Sequence, residues 1–130
     1  MSISVLIVDD ESHIRLALEY NLKHDGLEVY VAKNGSEGIE LAKSKKPDLI
    51  LLDWMMPDKN GMEVLTDLKR NKKTKHIPVF MLTAKGMIGD VDKAYAMGAD
   101  DYITKPFDAW NLATTLLEKL DKAPAHKSAD

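Results

Sequence analysis

Four kinds of side chain in this sequence could work together on one small ion or group. Asp9, Asp10 and Glu11 follow the apolar run ISVLIV of residues 3–8. Asp53 follows DLILL of residues 48–52, and Thr83 and Ala84 follow PVFML of residues 78–82. The run DYIT of residues 101–104 ends in Thr104, with Lys105 next. Carboxylates gathered on one rim raise each other's pKa unless a cation sits among them. A hard divalent ion with oxygen ligands answers that need, and Mg²⁺ with retained waters is the usual one. Lys105 and Thr83 are then left over, and an ammonium and a hydroxyl both suit phosphoryl oxygens. The set therefore fits a metal plus a phosphoryl group better than a metal alone. Asp53 is the candidate nucleophile, since a carboxylate can form an acyl phosphate. Mg²⁺ and Lys105 would offset the charge developing on the transferred group.

Each residue taken singly has a plainer role. An acidic run after a strand can be a solvated helix start, and an Asp at a strand end is commonly a turn or cap residue. Threonine is common at strand ends, and an isolated lysine is usually a surface residue. The force of the reading lies in the elements that place them together. Five apolar runs recur, the fifth being EVYVA of residues 28–32, which ends in nothing reactive. Several are rich in Val, Ile and Leu without alternation, which suits strands buried on both faces of a parallel sheet. Between them lie helical patterns. Residues 12–24 put Ile14, Ala17 and Leu18 on one face, with Gly26 closing the end. Asn34 with Glu37, and Asn60 with Glu63, have capping-box spacing for helices running to about Lys45 and Arg70. Val91, Ala94 and Tyr95 mark a fourth helix ending at Gly98. Asp108 caps a fifth, with Leu112, Leu116 and Leu120 facing inward. A strand–helix unit repeated five times predicts an α/β fold: a doubly wound parallel sheet with right-handed crossovers and helices on both faces. Ligands bind such sheets at the carboxyl ends of the strands, where the acids, Thr83 and Lys105 all fall.

The bulk properties agree. A chain of 130 residues suits one core, read here as a domain over residues 1–122. Residues 123–130 are polar and without periodicity, as in a frayed end or the start of a linker. With no cysteine, no disulfide and no thiolate metal site can form. The first residues lack a signal-peptide pattern and no apolar run is of spanning length, so a cytoplasmic protein is expected. A net charge of −3 argues against nucleic acid as the direct partner. His13, His24, His76 and His126 show no metal spacing and are expected to be exposed. Trp54 and Trp110 are read as packing residues, Trp54 next to the site.

The motifs LIVDDE, LLDWMMPDKNG, MLTAKG and GADDYITKPF, in this order, resemble the response-regulator receiver family of two-component signalling. The resemblance covers residues 3 to about 121. It implies the strand order 2-1-3-4-5, an order for which receiver folds are the standing example. It implies that Asp9, Asp10 and Asp53 hold Mg²⁺, Asp10 the more direct of the first two, with the backbone carbonyl of Met55 completing the protein ligands. Asp53 would be phosphorylated by a partner histidine kinase or phosphotransfer protein. Thr83 and Lys105 would hold the phosphoryl oxygens. Thr83 and Tyr102 would form the switch that signals through the face of the fourth helix, fifth strand and fifth helix to a downstream output. A cis bond between Lys105 and Pro106 would aim the lysine, which is compatible with proline's low cost for that isomer.

Other readings fit less well. An aspartyl-phosphate phosphohydrolase carries a second Asp two residues after the nucleophile, where this chain has Met55. A flavodoxin-like electron carrier needs a Ser/Thr/Gly-rich phosphate loop after the first strand, where this chain has VDDESH. The motif wording is most similar to receivers that precede a winged-helix DNA-binding domain. In those, charged residues of the fourth and fifth helices pair across a symmetric dimer. Here Val91, Asn111 and Thr115 occupy the matching positions, so a monomer is expected, standing alone or attached to a different output. By the same resemblance, Met55 and Lys85 flank the approach of water to the phosphorus. A thioether and an ammonium are poor at orienting water, which predicts slow loss of the phosphoryl group.

Overall fold

The computed structural model describes residues 3–54, 56, 58–84, 88–105, 107–108 and 110–122. Its strands are β1 (Ser4–Val8), β2 (Glu28–Ala32), β3 (Leu49–Asp53), β4 (Val79–Ala84) and β5 (Asp101–Lys105). The helices between them are α1 (Ser12–His24), α2 (Gly35–Lys45), α3 (Gly61–Arg70), α4 (Ile88–Ala96) and α5 (Leu112–Lys122). All strand pairs are parallel and the order is β2-β1-β3-β4-β5, as the motifs implied. The chain steps outward from β1 to β2, then crosses back to β3, so β1 and β3 lie side by side at the reversal. The ends of β1 and β3 therefore open into one crevice.

The uninterrupted apolar runs have the expected cause. Val5, Ile7, Leu49, Leu51, Phe80 and Leu82 face one layer, packed against Leu18 and Leu22 of α1 and Leu112, Leu116 and Leu120 of α5. Leu6, Val8, Ile50, Leu52, Val79 and Met81 face the other, against Ala42 of α2, Val64, Leu65 and Leu68 of α3 and Ala94 of α4. A strand that is buried on both faces cannot alternate polar with apolar residues.

The helix ends follow the sequence signals in most places. Asn60 and Glu63 form a complete capping box on α3. Asn34 caps α2 by accepting from the Glu37 amide at 2.8 Å, but the Glu37 side chain accepts from Lys33 instead of closing the box. Gly26 and Gly98 take positive φ after α1 and α4. Three expectations need correction. Ala17 is exposed, because the buried stripe of α1 runs through Ile14, Leu18 and Leu22 at a spacing of four. Asp108 does not cap α5 itself; it accepts from the Trp110 amide and the Asn111 side chain in the turn before Leu112. Trp110 is no packing residue, being 93% exposed on that turn. Residues 123–130 and the side chain of Val91 lie outside the described residues.

At the edge of the sheet opposite the acids, Lys69 donates to Asp100 at 3.1 Å and to the Ile77 carbonyl at 3.0 Å. Asp100 also accepts from the Val79 amide at 2.9 Å. This set ties the end of α3 to the starts of β4 and β5. Both side chains are well buried, so Lys69→Met leaves an uncompensated carboxylate. It is expected to cost about 3 kcal/mol in urea unfolding. Lys23→Met, which breaks an exposed pair with Glu19, is expected to cost less than about 0.5 kcal/mol.

Candidate functional site

The carboxyl ends of β1, β3 and β5 meet at one point. Carboxylate oxygens of Asp9, Asp10 and Asp53 lie within 4.8 Å of one another. Asp9 is fully buried and Asp53 is 5% exposed, while Asp10 is exposed. The Lys105 ammonium reaches across from β5 to Asp53 at 3.0 Å and Asp9 at 3.1 Å, with Glu11 farther off at 3.8 Å. Register explains the reach: Asp53 pairs with Leu82, and Lys105 with Ala84. Thr83 is buried on β4 between them.

The electrostatics follow from burial and crowding. Loss of water raises the Asp53 pKa to about 6; the Asp9 charge adds to the rise, and Lys105 opposes it. Burial pulls Lys105 downward, but its bonds and charge pairing with Asp53 and Asp9 outweigh that and hold it above its ordinary value. Asp9 is internally committed. One oxygen accepts from the Glu11 amide at 2.9 Å and the other from Lys105. Its backbone carbonyl accepts from Arg15 at 2.8 Å. No donor among the described residues is spent on Asp10, which leaves it open toward solvent. Three oxygen donors in one half-buried group, with one cation for three charges, suit a hard divalent ion.

The loop from Asp53 to α3 is closed at its base. The Gly61 amide donates to the Trp54 carbonyl at 2.7 Å, and a Cβ at Gly61 would stand 2.5 Å from the Asp53 carbonyl oxygen. Trp54 packs in the core beside it, as expected. At the loop's outer side, Asp58 accepts from the Gly35 amide at 3.0 Å, the Ser36 amide at 3.1 Å and the Ser36 hydroxyl at 3.0 Å. The Gly35 amide contributes most to holding its pKa down at about 2, with Ser36 adding to it.

Tyr102 stands apart from the acids. It is 38% exposed, edge-on to Tyr95 at 6.2 Å, with the Lys119 ammonium 5.7 Å above its ring. Lys119 also pairs with Asp101 at 3.0 Å. His13, His24 and His76 are exposed as expected, and His126 lies outside the described residues. So do Met55, Lys85 and Pro106. Sequence reasoning passed over Asp58, Arg15 and the Lys69–Asp100 pair. Asp58 and Asp100 left a trace, as acids inside LLDWMMPDKNG and GADDYITKPF whose partners were not evident.

The response regulator receiver domain family matches residues 5–117. The chain belongs to that family. It is 44% identical over 113 residues to the phosphate regulon transcriptional regulatory protein PhoB of Pseudomonas aeruginosa, a match covering 87% of this chain and 49% of the relative. The chain thus spans about half the length of that curated relative. Among solved structures it is similar to the chemotaxis protein CheY4 of Vibrio cholerae. The TM-score is 0.85 and the identity 30%, over 91% of this chain and 98% of that one. It is also similar to a CheY-like receiver domain protein of Methanospirillum hungatei. There the TM-score is 0.86 and the identity 28%, over 98% and 99% of the two chains. Receiver domains of response regulators are signalling domains. No helix among the described residues is long and apolar enough to cross a membrane.

The raised pKa of Asp53 has a consequence for stability. Above pH 6 the carboxyl is ionised in both folded and unfolded chains, and the folded state bears the full penalty of burial and of Asp9. Below about pH 4 it is protonated in both, and the penalty is gone. Between these limits Asp53's contribution to stability falls as pH rises. Asp53→Asn is therefore expected to stabilise the metal-free protein at pH 7 by about 3 kcal/mol, at ~1.4 kcal/mol per pKa unit. The gain should vanish near pH 4. Urea unfolding at both pH values measures it.

Proposed function

We propose that Asp53 accepts a phosphoryl group from a histidine kinase or phosphotransfer protein, with Mg²⁺ bound beside it. The observation that carries this reading is the Lys105 ammonium bridging Asp53 and Asp9, with Asp10 open alongside. An oxygen of Asp53 attacks the phosphorus, the phosphorus–nitrogen bond of the donor phosphohistidine breaks, and the released imidazole nitrogen regains its electron pair. Lys105 is within reach of the new phosphoryl oxygens and can leave Asp9 to meet them. Thr83, buried one register step from Lys105, supplies the hydroxyl on the other side. Asp9, Asp10 and Asp53 are the carboxylates that would hold Mg²⁺, with the Met55 carbonyl as the family's further ligand. Bound there, the ion would supply a Lewis acid that shields the anionic group from the carboxylates.

The output follows from the same reading. Thr83 and Tyr102 form the switch. In the described structure Tyr102 lies outward on the face of α4, β5 and α5, which would bind a partner protein or output domain. The Asn111 side chain donates to Asp108 at 2.9 Å, and Lys119 is paired with Asp101 within the chain. With those groups engaged internally, and with Val91 and Thr115 uncharged, the domain is proposed to be largely monomeric. It is proposed to work in the cytoplasm, to catalyse only its own phosphorylation and dephosphorylation, and to make no direct nucleic-acid contact. The domain is taken as residues 1–122, with 123–130 a tail or linker.

Acetyl phosphate with Mg²⁺ is expected to add one phosphoryl group to the wild type, seen by intact mass. Asp53→Asn should show none, and Asp10→Ala should lose both the labelling and the Mg²⁺ response together. Labelling that persists in Asp53→Asn moves the site elsewhere. The phosphoprotein is expected to decay slowly, and Met55→Asn with Lys85→Glu should hasten the decay by giving the attacking water two acceptors.

A further inference from the structure

Asp58 is five residues beyond Asp53, and its carboxylate does not face the acidic group. Instead it receives three hydrogen bonds from the first turn of α2, from Gly35 and Ser36. The loop that carries it leaves β3 immediately after Asp53 and returns at Gly61. It is fixed at its base by the Gly61–Trp54 bond. Asp58 fixes the other side, on a separate element whose own end is set by Asn34. Gly35 leaves no room for a side chain, since a Cβ there would lie 2.6 Å from Val64 and 3.0 Å from Lys59, so α2 and the loop pack closely at this point. The loop is thus held at two points by groups that touch neither Asp9 nor Asp10.

We propose that Asp58 is a positioning residue for the cation site, tying the β3–α3 loop to α2 so that the Asp53 carboxylate at the loop's start is held in place. The proposal rests on the metal reading given above. Its physical basis is that ligands arranged beforehand bind a metal more tightly than ligands that must first be ordered. Groups outside the ligand set commonly supply that order. An aspartate suits the task. With its pKa near 2 it stays an acceptor across the working pH range, and its charge matches the positive end of a helix. Two of the three bonds are exposed and the third is part-buried, so only a modest share of the fold's stability depends on them. Loop order and global stability can therefore be separated experimentally.

The test is a Mg²⁺ titration of the full chain, read by Trp54 fluorescence in a Trp110→Phe background that removes the other tryptophan. Asp58→Ala is expected to weaken Mg²⁺ binding about tenfold, the low end of what such outer groups contribute. Ser36→Ala, which removes one of the three bonds, should give a smaller loss. Asp58→Asn retains an acceptor oxygen and should fall between wild type and Asp58→Ala. Thermal melts without Mg²⁺ should differ little among the four proteins. Mg²⁺ affinity within twofold of wild type in both Asp58 variants would overturn the positioning role while leaving the metal reading intact. No Mg²⁺ response in the wild type would overturn the metal reading, and this proposal with it. A loss of affinity that merely follows a lowered melting temperature would also overturn it, since Asp58 would then be a structural residue.

Discussion

Everything at the working end of this protein depends on one ammonium between two buried carboxylates. Asp9 and Asp53 come from neighbouring parallel strands, and Lys105 from the edge strand two places away. Without Lys105, two acids with almost no solvent exposure would face each other in a low-dielectric crevice. With it, one positive charge still serves three carboxylates. The group is left under-neutralised, and Asp53 shows this in its raised pKa. Such a site gains from a second cation and from any chemistry that turns a carboxylate into something else.

The rest of the fold can be understood as the apparatus that holds this arrangement. The sheet's two apolar layers fix the strand register, and the register places Lys105 opposite Ala84 and Asp53 opposite Leu82. At the far edge, the Lys69–Asp100 pair anchors the starts of β4 and β5, so their carboxyl ends are not free to slide. Gly61 lets the loop after Asp53 pass within touching distance of the strand end, where any side chain would meet the Asp53 carbonyl. Near the acids, hydrogen bonds from Glu11 and Arg15 hold Asp9 and its peptide. Asp10 is left without such a bond among the described residues, so a rigid and an available carboxylate sit side by side.

Much of this was legible in the sequence, for a definite reason. Parallel strands buried on both faces write themselves as unbroken apolar runs, so the strand ends, and the residues on them, could be located by inspection. The Asn60–Glu63 box was legible because both partners of a capping box lie within one turn. What escaped involves partners distant in sequence. Asp58 meets Gly35 and Ser36, and Lys69 meets Asp100, through loop paths that no local pattern encodes. Trp110 was misread because a large aromatic is usually buried, whereas here it sits on the turn that Asp108 forms ahead of α5. Ala17 was misplaced because alanine is equally at home on either side of a helix boundary stripe, and its apolarity carries little directional information.

An under-neutralised acidic group around Asp53 should respond to a divalent ion. The most direct measurement is the carboxyl carbon-13 shift of Asp53, followed by NMR against pH with and without Mg²⁺. The expected midpoint is about 6 in the metal-free protein, and it should fall well below that once Mg²⁺ is present. A midpoint near the ordinary 3.8 that does not move on adding Mg²⁺ would contradict the account.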